Sequence, residues 1–292
     1  MMIGNLILLG AFIASGLAVL AYVLAVRGDQ RMLAIGRKAF YAMAGLATAA
    51  GFYLMYLILA HRFEFAYVFQ YSDSKLPAIY LISAFWAGQE GTFLLWAIFG
   101  AWLGVWLFRR EKDFEAHLMP FMALMQAFLF VILLKKSPFA LMPQGQLPVE
   151  GAGLNPLLQN FWMAIHPPII FLGYAGLTIP FAFAMAALLR HEYDSWVKRA
   201  LPWTLFAWLT LGAGIFIGGY WAYNVLGWGG YWGWDPVENA SLIPWLVSTA
   251  LLHGMLLQRA RGTIRKTNII FAAFTFLLIL YGTFLTRSGV LS

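Results

Sequence analysis

The chain has 292 residues, 62% hydrophobic and 11% charged, with a mean hydropathy of +0.75; soluble domains carry about 25% charged residues, so a water-soluble core is excluded and an all-α polytopic membrane protein is indicated. The absence of cysteine excludes disulfides, thiolate metal sites and thiol nucleophiles, leaving His, Met, carboxylates and packing to hold any cofactor. The net charge of +7 is spread over short loops, which argues against a nucleic-acid partner.

About 20 apolar residues cross the hydrocarbon core of a bilayer. Eight such spans are predicted, over 3–26, 39–60, 92–108, 118–134, 168–189, 201–220, 241–258 and 268–286. The first is not read as a cleaved signal peptide, because no basic residue precedes it. Fourteen of the nineteen Lys and Arg fall in alternate loops, around Arg27–Lys38, Arg109–Lys112, Arg190–Arg199 and Arg259–Lys266. The positive-inside rule puts those loops in the cytoplasm and both termini outside. The long loops 61–91, 135–167 and 221–240 then face outward. The expected organisation is an N-terminal bundle (1–135, four spans, with the outer interfacial segment 61–91), an outer loop with a His-Pro-Pro elbow (136–167), and four more spans around a Trp-rich loop (168–292).

Within the outer segments, 76–88 is apolar but too short to span, and Glu90 follows at the mouth of span three as a helix-start acid. Residues 137–160 hold four Pro and three Gly, which argues against a long helix. They lead to "FWMAIHPPII", where Pro167 and Pro168 suit a first helical turn and His166 is expected in extended geometry just before it. A boundary His of this kind either bonds a neighbouring loop or ligates a metal.

The tract "GWGGYWGWDPVENA" (227–240) is denser in aromatics than an interfacial belt requires. Trp221, Trp228, Trp232, Trp234 and Trp245 are five of thirteen Trp, packed into 25 residues with Tyr223 and Tyr231. Gly227, Gly229, Gly230 and Gly233 are interleaved with them, so the backbone can approach a flat ligand. Asp235, Pro236 and Glu238 read first as a helix cap, with Asn239 beside them, and second as ligand contacts or partners for Arg287. Further along, His253 lies about 13 residues past the loop, roughly 20 Å deep, where an ionisable group is a site candidate unless it bonds a neighbouring helix. His61, His117 and His191 sit at span ends and read as solvated. Two His at different depths, an indole platform and an outer cation, Arg287, match a planar acidic macrocycle: a haem or quinone site at the outer face.

"WGGYWGWDPVENASLIPWL" resembles the Trp-rich WWD signature of the haem-handling proteins of cytochrome c biogenesis. With "WAGQEGTFLLW", "GLNPLLQNFWMAIHPPIIFLGY" and "YGTFLTRSGVLS", the chain is similar along its length to the CcmF-type haem lyases. The resemblance implies a multi-pass protein of a bacterial or organellar inner membrane that positions haem for thioether attachment to the Cys-x-x-Cys-His motif of apocytochrome c. It implies His166 as an iron ligand and Trp228, Trp232 and Trp234 as the cradle. It further implies Asp235 as part of the pocket floor and His253 as one axial ligand of a separate haem b that takes electrons from quinol. Catalytic weight falls on His166, Trp232, Trp234 and Asp235; Trp221, Gly229, Gly230, Tyr231, Glu238, Asn239 and Arg287 complete the cofactor contacts, and His166 and His253 are the metal ligands. Implied partners are apocytochrome c, a haem chaperone and other maturation subunits. Family members commonly continue beyond "RSGVLS" into a segment with second ligands, so a missing C-terminal half or a partner chain is expected. Tyr231 and Gly233 stand where bulkier aromatics are familiar, which narrows the platform. A haem carrier or exporter, or a partner-docking scaffold without lyase chemistry, is the alternative.

Overall fold

The computed structural model describes residues 3–143, 148–227 and 229–287. Ten α-helices follow in order: α1 (Ile3–Ala25), α2 (Gln30–Leu59), α3 (Ala66–Tyr71), α4 (Ala78–Ser83), α5 (Gln89–Arg110), α6 (Glu115–Lys135), α7 (Phe161–Arg190), α8 (Ser195–Val225), α9 (Pro236–Arg261) and α10 (Arg265–Arg287). Eight of them, all but α3 and α4, are long and apolar enough to cross a membrane. Among the described residues the only β-type pairing is an isolated bridge, Phe65 with Leu141.

The helices begin at local signals. Asp29 caps α2 by accepting from the Arg31 and Met32 amides, Asn160 caps α7 through Trp162 N, and Asp235 caps α9 through Glu238 N. α9 ends at Gly262 in the left-handed region (φ +69°), which glycine adopts without steric penalty.

The apolar windows of α5 and α7 are 78% buried, against 33% for α1 and α10, so α5 and α7 form the axis of the molecule. α1, α2 and α6 pack on one side of them; α8, α9 and α10 complete the other. α7 meets α8 at backbone distance: a Cβ on Gly173 would stand 2.8 Å from Leu211 Cα, and one on Gly176 2.9 Å from Ala207 Cβ. Small residues are what allow membrane helices this approach, because apolar burial alone gives no advantage in lipid.

Two polar junctions tie the elements at the end where the basic loops lie. Arg37 of α2 grips Glu115 of α6 through Nε (2.7 Å) and Nη2 (2.5 Å), and the Tyr22 hydroxyl of α1 donates to the same carboxylate at 3.3 Å. Arg199 joins the start of α8 to Glu111 (2.9 Å) and Asp113 (3.1 Å) before α6. Charges placed at such ends complete their hydrogen bonding before the chain enters the apolar layer.

The helices are longer than the sequence spans, and this corrects one expectation. His166 does not precede α7 on an extended elbow; it lies in the second turn of a helix that starts at Phe161, with Pro167 and Pro168 inside. Likewise Trp221 and Tyr223 belong to α8 and not to the following loop.

Candidate functional site

α7, α8, α9 and α10 form a ring. α7 packs on α8 and α10, and α9 packs on α8 and α10, whereas neither diagonal pair packs to a comparable extent. A ring without diagonal contact leaves space on its axis. At the end nearest the α8–α9 connection that space is a cavity of about 510 Å³, within the ~300–1,000 Å³ range of small-molecule sites. Every helix of the ring contributes: His166 and Tyr174 from α7, Gly218 and Trp221 from α8, Glu238 from α9, and Thr283 and Arg287 from α10.

His166 is fixed from two directions. Its Nδ1 lies 2.7 Å from the Gly214 carbonyl, an acceptor only, so Nδ1 carries the proton and donates. Nε2 then presents a lone pair and has no hydrogen-bond partner among the described residues. This is the arrangement of a ligating imidazole oriented by its second nitrogen. Gly218 makes the room: a Cβ there would stand 2.5 Å from His166 Cε1. The Pro pair is accommodated by a distant residue. Pro168 has no N–H for the Ala164 carbonyl, and the Trp86 indole Nε1 supplies the missing donor at 3.0 Å. The segment "FWAGQEG", entering α5, thus braces the turn that carries His166.

The connection from α8 to α9 is cross-tied. Gly233 N donates to Glu238 Oε2 at 2.8 Å, Glu238 N to Asp235 Oδ1 at 2.8 Å, and Asn239 Nδ2 to the Trp234 carbonyl at 3.0 Å. Asp235 and Glu238 line the cavity, yet their carboxylates are occupied in holding the loop. Trp221 also lines it, its indole donating to Leu157 O at 3.1 Å and so clamping the segment before α7.

Trp232 is the partition. It lines the cavity and also a second one of about 350 Å³, whose other walls include Phe216, Tyr231, Trp234, Leu242 and Trp245. Ile215 and Gly219 belong to both walls as well. The Trp232 Nε1 is buried without a partner, as is Thr283 Oγ1 on the far side of the first cavity.

The predicted residues are therefore only partly gathered. His166, Trp221, Trp232, Asp235, Glu238 and Arg287 share the first cavity. Tyr231 and Trp234 face the second; Tyr231 stacks on Tyr223 (4.4 Å, 8° between planes), and Trp234 is 72% exposed at φ +57°. Gly229, at φ +70°, Gly230 and Asn239 line neither of these cavities, and Trp228 lies outside the described residues. His253 is apart from all of them. It sits on the outward face of α9, exposed, with Nδ1 bonded to the Thr249 carbonyl at 2.9 Å. Sequence reading missed Trp86, Tyr174, Gly218 and Thr283. Of these only Trp86 had a visible signal, in its place beside a Gly-rich helix start.

A lone imidazole supplies one metal ligand. Among the described residues no three His, Asp or Glu converge as a metal site, so a metal that arrives already held within a macrocycle suits this cavity better than a bare ion. Haem meets that condition, with four nitrogens, apolar faces and acidic side groups. The open Nε2 on the wall of a cavity that also carries Arg287 is consistent with it.

Comparison with known proteins places this architecture. The family model of the cytochrome C assembly protein matches residues 86–291. The cytochrome c-type biogenesis protein CcmF of Pseudomonas aeruginosa is 43% identical over 274 residues, covering 91% of this chain and 41% of that protein. CcmF of Escherichia coli is 40% identical over 272 residues, covering 91% and 42%. A solved structure of the cytochrome c haem lyase CcmF superposes with a TM-score of 0.86 at 36% identity, over 98% of this chain and 47% of that one. The chain spans less than half the length of these relatives. With more than half its residues under the family model, the chain belongs to the cytochrome c assembly family, and within it is similar in sequence and fold to CcmF proteins.

Proposed function

We propose that this chain holds haem on the outer side of an inner membrane, bacterial or organellar, and positions it for thioether attachment to the Cys-x-x-Cys-His motif of apocytochrome c. One observation carries the reading: His166, its tautomer set by the Gly214 carbonyl, turns an unpartnered Nε2 toward a cavity walled by Trp221, Trp232 and Arg287. Bound haem supplies the vinyl carbons to which two substrate thiols add. The chain's own residues supply position. His166 fixes depth, Trp221 and Trp232 offer indole faces, and the Asp235–Glu238–Gly233 ties keep the loop from collapsing into the space. Holding reactants together is worth effective molarities of up to about 10⁵–10⁸ M, so placement by itself is a sufficient contribution for one subunit.

The distribution of basic loops supports an outward-facing cavity with both termini on that side. His253 is proposed as an axial ligand of a second haem, a haem b, at the interface of α9 with another membrane element, with quinol as the electron source. Its exposed imidazole, held by Thr249 within an apolar face, supports this. A haem chaperone, apocytochrome c and further maturation subunits or a second half are the proposed partners.

The test uses the protein purified from native membranes with its associated subunits. Pyridine haemochrome spectra are expected to show haem reduced in His166→Ala and, independently, in His253→Ala. Full retention of haem in both variants would remove the assignment. Apocytochrome c is then supplied, and thioether-linked haem that survives acid–acetone extraction is expected from the wild type and lost in His166→Ala. Haem bound without any such product would make the protein a carrier.

A further inference from the structure

The first cavity has two chemically different ends. α8 and α10 stand on opposite sides of the ring, separated by α7 and α9. On the α8 side lie Ile215, Gly219 and the Trp232 face, backed by the second, apolar cavity. On the α10 side lie Thr283, Thr286 and Arg287, with Tyr174 of α7.

Arg287 is the group to explain. Among the described residues no carboxylate oxygen comes within 4.0 Å of it, although three acids are in the neighbourhood. Each is occupied. Asp235 and Glu238 hold the loop through backbone amides, and Glu90 faces Lys136 at 3.6 Å. The other ionisable groups near enough to act on Arg287 electrostatically are the phenols of Tyr67, Tyr71 and Tyr174. Burial pushes the Tyr67 hydroxyl well up and raises that of Tyr71, so neither is a counter-ion near neutral pH. The Arg287 guanidinium, on the wall of the cavity and without a carboxylate partner, is a donor fork that an anionic acceptor entering the cavity would complete.

We infer that Arg287 forms a carboxylate-binding subsite at the α10 end of the cavity, which fixes the in-plane orientation of the macrocycle. This rests on the haem reading and adds direction to it. The acidic edge of the ligand lies against α10, and the opposite apolar edge lies against Ile215, Gly219 and Trp232. Arg287 is a binding residue for the acid group.

The experiment compares two probes on the purified complex: haem, and haem dimethyl ester, in which both acids are blocked and the ring and iron are unchanged. Binding is read from the Soret shift and from quenching of Trp fluorescence, with no reference to turnover. The wild type is expected to bind haem at least about tenfold more tightly than the ester, the range of a charge-assisted pair. Arg287→Gln is expected to erase that preference by weakening haem about tenfold and leaving the ester unchanged. Arg287→Lys, which keeps the charge and loses the planar fork, is expected to reduce the preference by a smaller factor in the same direction. Should Arg287→Gln fail to yield folded protein by size-exclusion and circular dichroism, the two-probe comparison on the wild type and on Arg287→Lys decides. Equal affinity for both probes in the wild type, or equal losses for both in the variants, overturns the subsite and leaves the haem site standing. No binding of either probe, or binding indifferent to His166→Ala, overturns the haem reading and this inference with it.

Discussion

At the scale of single residues, the site depends on what is absent from a side chain as much as on what is present. His166 could be noticed in the sequence because it stands before two prolines; Gly218 could not, since its role is to leave the imidazole unobstructed. Gly218→Ala would place a methyl 2.7 Å from His166 Nδ1 and force the ring off the Gly214 carbonyl. Loss of such an orienting contact typically weakens a metal site by about 10–100-fold. Haem titration followed at the Soret band is expected to show a loss of this order while circular dichroism is unchanged; undiminished affinity would mean the orientation of His166 is immaterial. Trp86 teaches the same point from the other direction. A proline in a helix leaves a carbonyl unpaired, and the sequence does not say which distant donor will answer it.

At the scale of elements, the loop before α9 mixes two roles that its sequence leaves open. Asp235 was legible as a cap because the signal is local: an acid, a proline at the first turn and a second acid three residues on. The structure bears out the cap and places the same residue on the cavity wall. A variant series separates the roles. Asp235→Ala is expected to lower stability by about 0.5–2 kcal/mol and to speed amide exchange over 236–240, whereas Asp235→Asn keeps the cap and is close to neutral. If Asn protects the helix but haem affinity still falls, the carboxylate acts on the ligand and not only on the loop. The true start of α7 and the extension of α8 to Val225 were not legible from the spans, because a helix leaving the bilayer continues with polar and aromatic residues that hydropathy does not count.

At the scale of the whole molecule, the two halves are stabilised by different means. The α7–α10 ring keeps an open axis, and its rigidity comes from close α7–α8 packing. The N-terminal half is pinned at its basic end by Glu115, whose side chain is 0% exposed and engages Arg37 and Tyr22 together. Breaking a fully buried pair costs about 3–5 kcal/mol; Arg37 is 39% exposed, so Glu115→Gln is expected to cost less than that. The unfolding midpoint in detergent should fall while haem affinity at the opposite end stays unchanged. A selective loss of haem binding without loss of stability would contradict this division between frame and site.

The eight spans and the Asp235 cap followed from sequence alone, because crossing a bilayer and starting a helix are decided by residues close together in the chain. Which faces met did not. α7 is apolar around its whole circumference, and a helix of that kind carries no stripe to say which side faces a partner, a cavity or lipid. The four-helix ring, the inward turn of His166, the outward turn of His253 and the unshared charge of Arg287 were set only when α7 to α10 packed together, since each depends on contacts between residues far apart along the chain.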